Sequence, residues 1–227
     1  TEPVMDITVE KFKTRFIAVF GEKVWEKFNK KFRNKHQIEN DFQTIDEIEM
    51  HLKKYIEHID KVKNFFNTDN KHFLRFILIC IEKVNRIESR KYHFSLPLNQ
   101  DGGNEKMWEI EHIIPCKSFE KQISDAKFAS EHKHHLSNLT LISRSLNGKE
   151  NYKTASFNKK KELIQSYDEG NLYINLIFRE EVESEEDLRA LFEKRGESLK
   201  EDFHNIFFNN NKWNLTIFYE IILADSE

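Results

Sequence analysis

The stretch Glu109-Ile110-Glu111-His112-Ile113-Ile114-Pro115 decides how this chain is read, together with Leu136-Ser137-Asn138-Leu139-Thr140-Leu141-Ile142 and Leu146-Asn147-Gly148-Lys149-Glu150-Asn151 after it. In the first stretch an acid–histidine pair closes an apolar, strand-like run, and a proline stops it. After a gap of about 25 residues Asn138 opens a second apolar run, and nine positions later comes Asn147. The spacing predicts a strand near 107–113, an irregular or helical insert to about 135 and a strand at 139–142. A loop through Asn147 and Asn151 and a helix near 154–167 follow. Taken singly, a Glu-His pair fits a solvated strand end, and each Asn fits a turn or a cap. It is their order and spacing that point to a site.

That order resembles the HNH, or ββα-metal, nuclease motif, in which two strands and a helix hold one divalent ion and a general-base histidine against a scissile phosphate. Phosphodiester hydrolysis needs an activated water, a counter-charge for the transition state and help for the leaving oxygen. His112 is the candidate base, since a neutral imidazole is poised near pH 7. Glu111 is the candidate anionic metal ligand and Asn147 the neutral one. Oxygen ligands without a thiolate favour Mg²⁺ or Mn²⁺. Asn138 is expected to hydrogen-bond backbone across the loop and hold His112 in orientation. Adjacent strand residues point to opposite faces, so Glu111 and His112 share a site only if the strand ends or bends at the pair, as Pro115 suggests. His132, His134 and His135 with Cys116 imitate a zinc set, but their spacing matches no standard ligand pattern.

Composition sets the frame. With 227 residues the chain can bury a real core, and 20 Phe make that core aromatic. Only 6 Gly and 3 Pro leave little room for a turn-rich all-β fold. No apolar run approaches the length of a membrane span, no signal peptide opens the chain, and two cysteines form no disulfide framework, so a cytoplasmic location is expected. The net charge of −3 is uneven: residues 106–165 carry +4, against +2 before them and −9 after. The motif therefore lies in the basic segment, as a phosphate-binding surface requires.

Around the motif the periodicity is helical. Residues 5–33 read as one helix with Phe12, Phe16, Val19, Phe20, Val24, Trp25 and Phe28 on one face. Thr44-Ile45-Asp46-Glu47 is a capping-box signature opening a helix to about Phe66, and another runs from Phe73 to about Arg86. Asn99-Gln100-Asp101-Gly102-Gly103-Asn104 is the clearest break. Ser184-Glu185-Glu186-Asp187 starts a last long helix, and Trp213, Ile217, Phe218 and Tyr219 are expected to pack back onto the body. The fold class expected is mainly α: a helical bundle flanking a small ββα-metal core. The segments are a helical domain at 1–104, the nuclease core at 105–167 and a C-terminal helical segment at 168–227.

Residues 108–161 resemble more than a generic motif. "IEHIIP" followed by "LSNLTLISRSLNGKENYKTASFNKKK" looks like the C-terminal HNH domain of the GmrSD family of modification-dependent restriction enzymes and related phage-defence nucleases. That family's acid-His-Ile-x-Pro corresponds to Glu111 through Pro115, and its Gly-Asn-Leu-Thr-Leu to Ser137 through Leu141. Its later positions correspond to Asn147, Asn151, Phe157 and Lys160. Ser137 stands where glycine is usual, and Asn147 is like the Asn of the CRISPR effector HNH domain. The resemblance implies that His112 is the base, that Glu111 and Asn147 bind metal, and that Asn151 and the lysines approach the phosphate backbone. The surface expected to meet nucleic acid comprises Arg144, Lys149, Asn151, Lys153 and Lys160. The family's N-terminal nucleotide-sensing half has no counterpart here, so the chain is expected to be either a C-terminal part, working with such a domain or partner subunit, or a stand-alone relative.

The function expected is a metal-dependent DNA endonuclease serving anti-phage restriction. The alternatives are an RNA-cleaving toxin, since the same site attacks either backbone, and a non-catalytic nucleic-acid-binding module on a degenerate HNH scaffold.

Overall fold

Thr44 shows at small scale how this sequence builds its helices. Its Oγ1 accepts from the Glu47 backbone N–H at 3.2 Å, and Glu47 Oε2 accepts from the Thr44 N–H at 3.1 Å, so two otherwise orphaned donors are satisfied reciprocally. The computed structural model describes residues 7–20, 22–36, 41–61, 71–85, 108–209, 212–216 and 219–220. Helix α1 spans Val9–Phe20, α2 Glu22–His36, α3 Ile45–Lys61 and α4 Lys71–Val84. The helix expected over 5–33 is thus two helices, one ending at Phe20 and the next beginning at Glu22. The break at 99–104 lies outside the described residues.

Strand β1, Trp108–His112, pairs antiparallel with β2, Leu139–Ser143, in the register Glu109↔Ile142, Glu111↔Thr140 and His112↔Leu139. Between them lie the short helices α5, Phe119–Gln122, and α6, Ala126–His132. Asp125 caps α6 by accepting from the Phe128 N–H at 2.9 Å. After β2 the chain turns through α7, Arg144–Asn147, and α8, Glu150–Lys153, in place of the plain loop expected, and then forms α9, Phe157–Ile164. The last long helix, α10, Glu185–Phe207, begins with a full capping box between Ser184 and Asp187. After it, the two-residue strands β3, Phe208–Asn209, and β4, Lys212–Trp213, pair antiparallel.

Every residue of β2 is buried, because the small sheet is covered on both faces. Leu139 and Leu141 join Phe12, Phe16, Trp25, Phe28, Leu78, Phe203 and Phe207 in one apolar cluster. Ile142 joins Ile113, Phe119, Tyr152, Phe157, Phe178 and Phe192 in a second. The strand period of two sends alternate residues to the two sides. The result is a mainly α architecture with a ββα core held between two layers of aromatic packing. Trp213 and Tyr219 pack against the first cluster, while Ile217 and Phe218 lie outside the described residues.

Candidate active site

Strand parity sorts the acidic and histidine side chains of β1. Ile110 packs toward the helical cluster, so Glu109 and Glu111 belong to the other face, on the side of α8 and α9. The ladder's last pair sets His112 opposite Leu139, and the Ile113 N–H donates to the Asn138 carbonyl at 2.8 Å. Strand β1 ends at His112, as expected at the pair, and the chain bends at Ile113 and Ile114.

On the α9 side, Lys160 is fully buried and its Nζ donates to Glu111 Oε1 at 2.8 Å and to the His112 carbonyl at 2.6 Å. The ammonium also lies 4.9 Å from the centre of the Tyr152 ring. Burial pulls the Lys160 pKa down, and the neighbouring Glu111 carboxylate pulls it back up. Lys160, expected at the phosphate backbone, is thus an internal cation that neutralises Glu111; its aliphatic stem lies on the inner face of α9, between the exposed Lys159 and the half-buried Lys161.

Asn147 ends α7 and reaches back to β1, where its Nδ2 donates to Glu109 Oε2 at 2.6 Å. Its Oδ1 is buried and has no hydrogen-bond partner. A buried acceptor left unsatisfied costs roughly 1–3 kcal/mol, so an orphaned amide oxygen beside a carboxylate invites a cation. The oxygens of Glu109, Glu111 and Asn147 are the hard donors that Mg²⁺ or Mn²⁺ prefers, and they fit such an ion.

His112 is only 9% exposed. Burial, with the positive charges of His134, Lys160 and Lys133 nearby, pulls its pKa down to about 4, which keeps it neutral at physiological pH. Its Nε2 lies 3.2 Å from His134 Nδ1, and Cys116 Sγ lies 3.7 Å from the same nitrogen. Asn138, fully buried, bridges the loop behind the base. Its Oδ1 accepts from the Ile114 N–H at 2.8 Å, and its Nδ2 donates to the carbonyls of Ile114 at 3.1 Å and Lys133 at 2.9 Å. Arg195 on α10 supports the same turn by donating to the carbonyls of Ser137 and Leu139 at 3.1 and 2.9 Å.

The remaining histidines of the insert serve the fold. His132 stacks on Phe128 with ring centres 3.8 Å apart, and His135 Nδ1 accepts from the Ser137 N–H at 3.2 Å. Burial first, then the charges of His132 and Lys200, holds the His135 pKa near 4. A histidine whose folded pKa is depressed stabilises the fold above its unfolded value, near 6.5, and that contribution is lost as pH falls towards 4. His135→Asn, which keeps an acceptor for the turn, is therefore expected to flatten the acid limb of the stability curve between pH 6.5 and 4 by about 1–2 kcal/mol. Urea unfolding at a series of pH values checks this, and parallel curves for the two proteins would refute it.

Arg144, Lys149, Asn151 and Lys153 are exposed along α7 and α8, on the rim next to Asn147. Lys149 leans over the Tyr167 ring at 4.7 Å. Lys159 pairs with Glu162 at 2.6 Å and Lys161 with Glu181 at 2.6 Å, so part of the positive charge of α9 is already compensated.

With this geometry in view, comparison with known families is specific. The family model described as GmrSD restriction endonucleases, C-terminal domain, matches residues 26–217. The chain belongs to this family. No curated protein and no solved structure matches it. The GmrSD C-terminal domain assigns the chain to the restriction-endonuclease class, whose substrate is nucleic acid. The match runs through all three expected segments, from the helices before the motif to the end of α10 and beyond. Among the described residues no helix of this domain is long and apolar enough to cross a membrane.

The contacts of three residues in this region escape sequence reasoning. Glu109 carries a usable signal, since it stands two positions before Glu111 and shares its strand face. His134 meets His112, a partner outside the His132, His134, His135 and Cys116 set whose spacing matches no standard ligand pattern. Arg195, 58 residues beyond Ser137 in sequence, has no local signal at all.

Proposed function

We propose that the chain is a metal-dependent DNA endonuclease of HNH type, with His112 as general base and an Mg²⁺ or Mn²⁺ ion held by Glu111 and Asn147, with Glu109 beside them. The observation that carries this reading is His112: the last residue of β1 in a restriction-endonuclease domain, kept uncharged by burial. An uncharged imidazole can take the proton of an attacking water. A bound phosphodiester brings negative charge, which raises the affinity of His112 for that proton at the moment of transfer.

The other residues divide the remaining work. Asn138 clamps the backbone of Ile114 and Lys133, and so holds the base at the end of the strand. Lys160 grips one Glu111 oxygen, with the second oxygen on offer. Asn147 supplies the unspent amide oxygen. The ion, when bound, would offset the charge that builds on the phosphate and on the leaving oxygen. Arg144, Lys149, Asn151 and Lys153 would contact the backbone without reading bases, and such contacts weaken steeply as salt rises. Defence against phage DNA is the role that fits a nuclease of this class.

Incubating the chain with supercoiled plasmid and with structured RNA, each with Mg²⁺, Mn²⁺ or chelator, is the test. Nicking of the plasmid only with a divalent ion is expected. Cleavage of RNA with the plasmid intact would replace DNA by RNA as the substrate. The ligand assignment has its own measurement in Mn²⁺ titration calorimetry. Asn147→Ala is expected to bind Mn²⁺ about tenfold or more weakly, because water replaces the lost oxygen. Asn147→Asp keeps an oxygen but sets a second carboxylate against Glu109, so its melting temperature falls without metal and recovers with Mn²⁺. Equal Mn²⁺ affinities for wild type and Asn147→Ala would remove Asn147 from the site.

A further inference from the structure

His112, Cys116 and His134 bring three ligand atoms within 4.8 Å of one another. One imidazole comes from the strand end, the thiol from the turn after Pro115 and the second imidazole from the turn after α6. Zinc binds imidazole nitrogen at about 2.0–2.1 Å and thiolate sulfur at about 2.3 Å, nearly always tetrahedrally. Those bond lengths require an N–N edge of roughly 3.3 Å and an N–S edge of roughly 3.6 Å. The distances here are 3.2 Å from His112 Nε2 to His134 Nδ1 and 3.7 Å from Cys116 Sγ to His134 Nδ1. Two of the three edges of a tetrahedral face are therefore already formed. The donor set is also of the opposite kind to the first: nitrogen and sulfur here, oxygen on the α9 side. Soft and borderline cations choose the former, and Mg²⁺ the latter.

We propose that His112, Cys116 and His134 form a second metal site, selective for Zn²⁺ or a similar thiophilic cation, and that its occupancy silences the nuclease by coordinating the Nε2 lone pair of the base. The Cys116 thiol gives up its proton to solvent on binding. The fourth position is left to water, since the structure brings three protein ligands together. The silencing rests on the assignment of His112 as the general base; the binding does not.

Two readouts separate the two claims. Co²⁺ replaces Zn²⁺ and reports its ligands: the purified chain titrated with Co²⁺ is expected to show intense visible bands of tetrahedral coordination and a sulfur-to-cobalt charge-transfer band. Cys116→Ser should lose the charge-transfer band, and His134→Ala should weaken Co²⁺ binding. Absence of that band from the wild-type protein, or its persistence in Cys116→Ser, would overturn the site. In the second readout, one equivalent of Zn²⁺ is added to Mg²⁺-supported plasmid nicking. Wild type is expected to lose activity and to regain it with a zinc chelator, while Cys116→Ser, equally active without zinc, needs about tenfold more Zn²⁺ for the same loss. Equal inhibition of both proteins would mean that Zn²⁺ acts at the oxygen site, and would overturn the silencing. A cobalt band with nicking indifferent to Zn²⁺ would likewise overturn the silencing, and would count against His112 as the base.

Discussion

His112→Ala abolishes plasmid nicking while the fold persists: a drop of about 10²–10⁴ in rate is expected, the usual loss when a general base is removed. The turn behind it is held by Asn138 and Arg195 through hydrogen bonds that do not involve the imidazole. His112→Asn is the companion variant. It fills the space and can hydrogen-bond, but it cannot take a proton at neutral pH, so it should be as inactive as the alanine variant. Single-turnover nicking with saturating Mg²⁺ measures the rate, and circular dichroism checks the fold. A variant that nicks at the wild-type rate would show that another group, or water alone, deprotonates the nucleophile.

Lys160→Met is the second large effect, and it falls on stability. Lys160 is completely buried and Glu111 is 7% exposed, so removing the ammonium strands a carboxylate inside the protein. Breaking a buried pair from one side costs about 3–5 kcal/mol, because the surviving charge has lost its partner and cannot regain water. For a chain of this size that is roughly a 10 °C fall in melting temperature. Restoring neutrality separates charge from packing. The double variant Glu111→Gln with Lys160→Met should recover most of the loss in stability but none of the activity. Denaturant titration of the three proteins measures it. A single-variant loss under about 1 kcal/mol would mean that Lys160 swings out to solvent and leaves Glu111 hydrated.

Much of this architecture is legible from local chemistry. The capping boxes at Thr44 and Ser184, the apolar runs of β1 and β2 and the helix after Ser156 are all set by neighbours three or four residues apart. Such signals are written in consecutive residues, and the structure keeps them within a few positions. The order Glu111, His112, Asn138, Asn147 is likewise enough to recognise the GmrSD family, whose C-terminal domain the chain matches over residues 26–217.

What sequence order could not supply was which side chains meet. Glu111 and His112 are adjacent in the chain, yet Glu111 meets Lys160 of α9 while His112 meets His134 of the insert. In sequence Lys160 is one more member of a wet lysine run, and only the packing of α9 on the sheet makes it internal. No regular spacing joins Cys116 to His134, and the third member of their cluster is His112, whose place at the end of β1 only the strand pairing determines. The sequence by itself determined the elements, the family and the chemical types in play, because these depend on short-range propensity and on residue order. The tertiary structure alone decided the pairings Glu111 with Lys160, Asn147 with Glu109 and His112 with His134, because each joins residues 22 to 49 positions apart through sheet register and helix packing.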